Sequence, residues 1–380
     1  MNDVLANYYE KAFESAGEGG SHYMPMSVLE NAGHCRKGDI LEAMDIPGLK
    51  DAIVVDYGVG SWGFGCVFPK LKNGKVAIGI DISDYAVKAS KKISEEDSDL
   101  KGKKTEFFTS SGYDIKMPDE SADVVFAGEC IEHIEDTFAF LSEISRILKP
   151  GGRAIFTTPN QKPYVYRQLG LNWAMGFEHV ALMDSHLLLS ELEQFFEIEE
   201  TKGYMSSIHP DVDPIIQDAA FAAEYAKLCE DDFHEATGLI VKVRKSPKDV
   251  RNYVKVSHKI VESDQVTCLP ESEDLSLYEQ AMGRMPVGID GEICVPVPNG
   301  AVRCQLVMWS HPWSGIVKIE TATSSREIDL FSHVSGCERI SLDAKELGSL
   351  AEVIIKPTGR KSDLSEGTQA IFFRAVFSIK

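Results

Sequence analysis

Along residues 50–245, short runs of consecutive apolar residues alternate with longer stretches in which apolar positions recur every three or four. Ile53 to Val55, Val76 to Ile80, Asp123 to Ala127 and Arg153 to Thr158 are of the first kind, the pattern of strands covered on both faces, and Glu106 to Thr109 is a shorter one. Ala86 to Ile93 reads as a helix. The stretch from Ile131 to Gly152 reads as a second, with Phe138, Leu141, Ile144, Ile147 and Leu148 on one face and a stop at Pro150 and Gly151. Strands alternating with helices predict a doubly wound, mostly parallel α/β sheet. Phe195 to Glu200 and Leu239 to Val243 add a closing antiparallel pair, which brings the sheet to seven strands. An alanine-rich helix from Pro214 to Phe233 lies between them, inside an insertion near 205–236 that would overhang a pocket.

The pattern differs on either side of this block. Residues 1–50 read as helices, at Ala6 to Ala16 and Met26 to Met44, either packed against the sheet or capping a ligand. Residues 246–290 lose periodicity and read as a linker containing RKSPKDVRNY and ESEDLSLYEQ. From Glu292 the chain gives ICVPV, VRCQLVMW, GIVKIET, REIDLF, RISLD, AEVIIK and AIFFRAVFSI, seven short β-branched stretches that predict an all-β sandwich over 291–380. Trp309 and Trp313, around His311, are either core residues or a stacking platform for a sugar ring. The expected domains are thus 1–245, a linker at 246–290, and 291–380.

Charge changes the picture of partners. The 380 residues carry 39 basic against 59 acidic side chains, a net charge of −20, and backbone binding to nucleic acid depends on clustered Lys and Arg. Nucleic acid is therefore disfavoured as a substrate, and a small molecule or glycan is expected. Eight cysteines stand singly with no C-x-x-C pair, which suits a reducing cytoplasm and indicates neither a zinc knuckle nor a disulfide framework. No run approaches membrane-spanning length, so membrane insertion is not expected; a homo-oligomer is compatible with the sequence.

Candidate chemistry begins at DAIVVDYGVGSWGFGC. Gly58, Gly60 and Gly63 follow the first strand in G-x-G-x-x-G spacing, which lets backbone turn tightly and approach a ligand. Such spacing serves either a nucleotide or a plain strand-to-helix connection. Asp81, at the end of the second strand, is where a carboxylate can accept hydrogen bonds from a ribose diol, and Ile82 would lie against an adenine. Glu132 and His133 follow the fourth strand. A neutral imidazole there can act as a general base near physiological pH, or the pair can cap and pack the helix.

DYGVGSWG, GIDIS and MPDESADVVFAGECIEHIEDTFAFLSEISRILKPGGRAIFTTPN, in that order, resemble the class I S-adenosylmethionine-dependent methyltransferases over roughly residues 50–245. The resemblance implies a Rossmann-like sheet and S-adenosylmethionine as cofactor. It places Asp56, Gly58 and Gly60 along the methionine part, Asp81 at the ribose, Ile82 on adenine, and Ser111, Gly112 or Asp114 beside the adenine amino group, with Ser61 and Glu129 as further cofactor-binding residues. E-x-x-E-H at Glu129, Glu132 and His133, with His179 downstream, resembles the metal site of the ubiquinone-pathway O-methyltransferases and of the small-RNA terminal 2′-O-methyltransferases. It implies Mg²⁺ or Mn²⁺ held by those four residues, with His133 and His179 as the catalytic candidates. Tyr164, Tyr166, Trp173 and Phe177 are candidates for stacking on an acceptor, and His186 and His209 read as structural or surface residues. The reading of the whole is methyl transfer to a sugar hydroxyl or glycan. Its alternatives are transfer to the oxygen or nitrogen of another small molecule such as a quinone or natural product, and a cofactor- or glycan-binding protein without turnover.

Overall fold

A computed structural model of the chain describes residues 49–60, 75–96, 104–164, 179–205, 219–246, 257–269, 291–332 and 336–380. The expected helices before residue 48, and Ser61, Gly63, Tyr166, Trp173, Phe177 and His209, lie outside the described residues. The chain divides into two units, Met1–Val165 with Phe177–Tyr253, and Tyr166–Gly176 with Val254–Lys380.

The first unit runs β1 (Ile53–Tyr57), β2 (Val76–Asp81), α1 (Asp84–Glu96), β3 (Lys104–Thr109), β4 (Ala122–Gly128), α2 (Thr137–Ile147), β5 (Leu148–Pro159), α3 (Ser185–Leu192), β6 (Glu197–Tyr204), α4 (Ala219–Asp231) and β7 (Gly238–Arg244). Its seven strands are ordered β3-β2-β1-β4-β5-β7-β6. The pairs β3–β2, β2–β1, β1–β4 and β4–β5 are parallel, while β7 runs antiparallel to both β5 and β6. The apolar runs are central because they are buried: Val54, Val55, Ile80, Val125, Phe156 and Val241 are at most 1% exposed. Each such large side chain contributes about 1.5–3 kcal/mol relative to exposure. Strand order reverses between β1 and β4, so the carboxyl ends of these strands open the crevice in which doubly wound sheets bind ligands.

The second helix differs from its expected bounds. A short turn, Ile131–His133, is followed by extended chain, and α2 begins only at Thr137, where the Asp136 side chain caps the amide of Ala139 at 2.9 Å. An N-cap aspartate satisfies an end-of-helix donor and so fixes the start. At the other end Leu148, Pro150 and Gly151 belong to β5. Phe140 takes the core position expected of Phe138, which is half-buried against the edge of Phe195. Within the insertion, α4 is described from Ala219 and ends at Asp231.

In the second unit, β8 (Ser257–Glu262), β9 (Thr267–Leu269), β10 (Glu292–Pro296), β11 (Ala301–Ser310), β12 (Ile316–Glu320), β13 (Ser325–Asp329), β14 (Gly336–Asp343), β15 (Glu352–Pro357) and β16 (Ile371–Ile379) form two sheets, β13-β12-β15-β10-β9 and β14-β11-β16-β8. Ile293, Val317, Ile319, Val353 and Ile355 of one pack with Leu306, Met308, Ile340, Phe372 and Phe377 of the other, which makes a sandwich. All seven expected strands are present. The linker expected at 246–290 is shorter than its sequence texture suggests, because β8 and β9 fall within it and each edges a sheet. Trp309 meets Phe373 edge-on, whereas Trp313 is 50% exposed. The six cysteines among the described residues are free thiols, and no described helix is long and apolar enough to cross a membrane.

Candidate functional site

The turn after β1 is closed by backbone and by one acid. The amides of Gly58 and Val59 both donate to the Ile80 carbonyl, at 2.8 and 3.0 Å, and Gly60 N–H donates to Asp81 Oδ2 at 2.9 Å. Gly58 and Gly60 have φ of +75° and +59°, the left-handed region that favours glycine. Ser83 N–H donates to Asp81 Oδ1 at 2.9 Å, and Ser90 of α1 donates to the Gly60 carbonyl, so strand, turn and helix are bound together. Asp81 thus accepts one backbone amide on each carboxylate oxygen. Asp56 is buried at the end of β1.

The loop after β3 closes the same crevice. Ser110 N–H donates to the Asp81 carbonyl at 2.8 Å, and Tyr57 Oη reaches the Ser110 carbonyl at 3.4 Å. Burial pushes the Tyr57 phenol well above its usual range. Gly112 has no room for a side chain, since a Cβ would lie 2.9 Å from Tyr57 Oη and 3.0 Å from Phe140. Ser111 is half-buried and accepts from Tyr113 N–H at 3.2 Å; Ile82 is also half-buried, and Asp114 is exposed. The residues expected at ribose and adenine therefore come from the adjoining carboxyl ends of β1, β2 and β3.

The reactive side is built from β4, β5 and the segment after His179. A Cβ on Gly58 would lie 3.1 Å from Cys130 Sγ, which sets the Ile131–His133 turn directly against the glycine turn. Glu132 is 1% exposed; its Oε2 accepts from Thr158 Oγ1 at 2.9 Å and its Oε1 is 3.7 Å from His133 Nε2. Ala181 N–H donates to the Glu132 carbonyl at 2.8 Å, which brings His179 over the turn, its ring centroid 4.9 Å from that of His133. One ligand atom from each of Glu132, His133 and His179 lies within 4.8 Å of the others. Glu129 is not in this group. Its Oε1 accepts from Thr157 Oγ1 at 2.8 Å and Tyr204 Oη at 3.1 Å. Thr157, Thr158 and Tyr204 were not anticipated from sequence; two threonines closing an otherwise apolar strand in FTTPN were the available sign.

Of the other candidates, Tyr164 is 37% exposed. His186 stacks on His234 with ring centroids 4.3 Å apart, and Ser185 Oγ is 2.8 Å from His234 Nδ1.

Sheet order, the single reversed strand and the acid-closed glycine turn give the α/β unit the arrangement that the resemblance to class I S-adenosylmethionine-dependent methyltransferases implies. Residues 55–156 match the family model described as a methyltransferase domain. Among curated proteins, a probable S-adenosylmethionine-dependent methyltransferase of Mycolicibacterium smegmatis is 34% identical over 91 residues, covering 24% of this chain and 34% of the relative. The 2-methyl-6-phytyl-1,4-hydroquinone methyltransferase of Synechocystis is 31% identical over 152 residues (40% of this chain, 45% of the relative), and the ubiquinone biosynthesis O-methyltransferase of Bradyrhizobium 31% over 127 residues (33% and 47%). The chain spans less than half the length of each of these three relatives.

Proposed function

We propose that the protein is an S-adenosylmethionine-dependent O-methyltransferase whose acceptor is a sugar or glycan hydroxyl. The observation that carries the reaction class is the meeting of the Glu132–His133–His179 cluster with the glycine turn through Cys130. The cofactor supplies an electrophilic methyl group on a sulfonium. Asp81 suits its ribose hydroxyls, and the Asp56 carboxylate suits its ammonium. What the chain must add is alignment of a hydroxyl and acceptance of its proton. His133, 20% exposed in its side chain, is the proton acceptor, and Glu132, fixed by Thr158, orients it and stabilises the imidazolium that forms. The relative named as a ubiquinone biosynthesis O-methyltransferase supports a second acceptor class, a quinol hydroxyl.

A divalent cation is the alternative means of activating the hydroxyl. One carboxylate and two imidazoles with mutually close donor atoms fit such an ion, and imidazole content favours Mn²⁺ over Mg²⁺. Glu132, His133 and His179 would hold it, and the ion would lower the acceptor's pKa. The two roles of His133 exclude one another at a shared nitrogen, so they are separable. Labelled methyl transfer by the whole chain to a panel of glycans and quinols, with and without excess chelator, tests both. S-adenosylhomocysteine formation that survives chelation and is lost in His133→Ala supports the base. Loss on chelation with recovery on added Mn²⁺ supports the metal. Transfer to no glycan of the panel would overturn the sugar reading, and transfer to quinols alone would put the second acceptor class in its place.

A further inference from the structure

Thr157 and Thr158 are consecutive in β5. Thr157 donates to Glu129 and Thr158 to Glu132, at 2.8 and 2.9 Å. Successive threonines thereby bind the two acids of E-x-x-E-H, Glu132 grouped with both histidines and Glu129 bonded to Tyr204. Three further features fix Glu129 there. Its backbone has φ +48°, unusual for a residue with a side chain, and its N–H is held by the Thr157 carbonyl at 2.8 Å. Tyr204, 1% exposed, has its ring where a side chain on Gly238 would stand: a Cβ at 238 would lie 2.3 Å from it. Burial and the neighbouring Glu129 charge keep the phenol protonated, so it remains a donor.

We propose that Tyr204 is a positioning residue, a latch that keeps Glu129 out of the cation's ligand set. The inference rests on the metal reading above. With the latch closed the chain offers three ligands, leaving coordination positions for acceptor hydroxyls; with the Tyr204 bond broken Glu129 becomes a fourth ligand, which tightens the ion and removes an open position.

The experiment is titration of Mn²⁺ alone, followed by electron paramagnetic resonance, into the whole chain and its variants. Tyr204→Phe keeps the ring over Gly238 and removes only the donor. It is expected to bind Mn²⁺ about tenfold more tightly, the effect of releasing one hydrogen bond to a charged group. Glu129→Gln alone should match the parent, and Tyr204→Phe with Glu129→Gln should lose the gain. Thr157→Val, which severs the other bond to Glu129, is read in parallel should Tyr204→Phe fail to fold. Unchanged or weaker binding in both single variants, or a gain that survives Glu129→Gln, overturns the latch. If the parent binds Mn²⁺ and these variants match it, the latch alone falls; if neither parent nor variants bind, the metal reading falls with it.

Discussion

The Gly60 amide donates to the Asp81 carboxylate at 2.9 Å, tying the turn after β1 to the acid that ends β2. The bond shapes the turn and fixes the carboxylate at the carboxyl end of β2, where a ribose would lie. Asp81→Asn keeps the volume but replaces one acceptor oxygen with a donor that faces an amide. Affinity for S-adenosylhomocysteine should fall at least tenfold, about what one charge-assisted hydrogen bond contributes. Isothermal calorimetry reads this directly, and an unchanged affinity would show that the ribose is held elsewhere.

Gly58 is constrained twice, by φ of +75° and by Cys130, whose Sγ and Cβ would stand 3.1 and 3.2 Å from an added Cβ. Gly58→Ala should cost about 1–3 kcal/mol, the range for a strained backbone position. Methyl transfer should fall further than cofactor affinity, because Cys130 starts the turn that carries His133. Adding Cys130→Ala relieves the steric part but not the φ strain, so it should return only part of the stability measured by chemical denaturation.

The sheet was readable because strands buried on both faces must be continuous apolar runs; Ile53 to Val55 and Val76 to Ile80 have no polar residue to mislead. The helix after β4 was misjudged because apolar spacing persists from Ile131 to Leu148 while the chain changes conformation twice within it. Asp136, as an N-cap before Thr137, held the missing information. β8 was hidden among charged residues since one edge strand needs few core contacts, with Val261 the residue that reaches the core. In the site, residue types at strand ends were legible, but pairing was not. That Glu129 faces Tyr204 depends on β6 pairing with β7, Tyr204 opposite Gly238, a contact distant in sequence.

Arg146 closes the unit beneath α2. Its guanidinium bonds both oxygens of Glu143, the carbonyls of Ile115 and Met117, and Asp119, all at 2.7–3.0 Å, and Glu143 also accepts from Ile115 N–H at 2.9 Å. Glu143 is 3% exposed, so removing its partner leaves a buried charge. Arg146→Met should destabilise by about 3–5 kcal/mol. Arg146→Met with Glu143→Leu should recover most of it, since apolar replacement of both members removes the uncompensated charge. Urea denaturation of the single and double variants measures the difference.

His311 gives the sandwich a pH dependence of definite sign. Its Nδ1 accepts from Trp313 N–H at 3.1 Å, which requires a neutral imidazole, and desolvation lowers its pKa below the usual value. Between the lowered folded pKa and the unfolded value of about 6.5, the unfolded chain binds a proton that the folded chain does not. The stabilisation is therefore full above about pH 6.5 and is lost as pH falls through the folded pKa, with a limiting slope of about 1.4 kcal/mol per pH unit. His311→Asn supplies a side-chain oxygen for the Trp313 amide and cannot titrate. Unfolding followed by tryptophan fluorescence between about pH 7.5 and 5.5 should show a smaller loss on acidification in the variant than in the parent. Equal losses would mean that the protonated imidazole is accommodated, and that the loop carrying the exposed Trp313 does not depend on that acceptor.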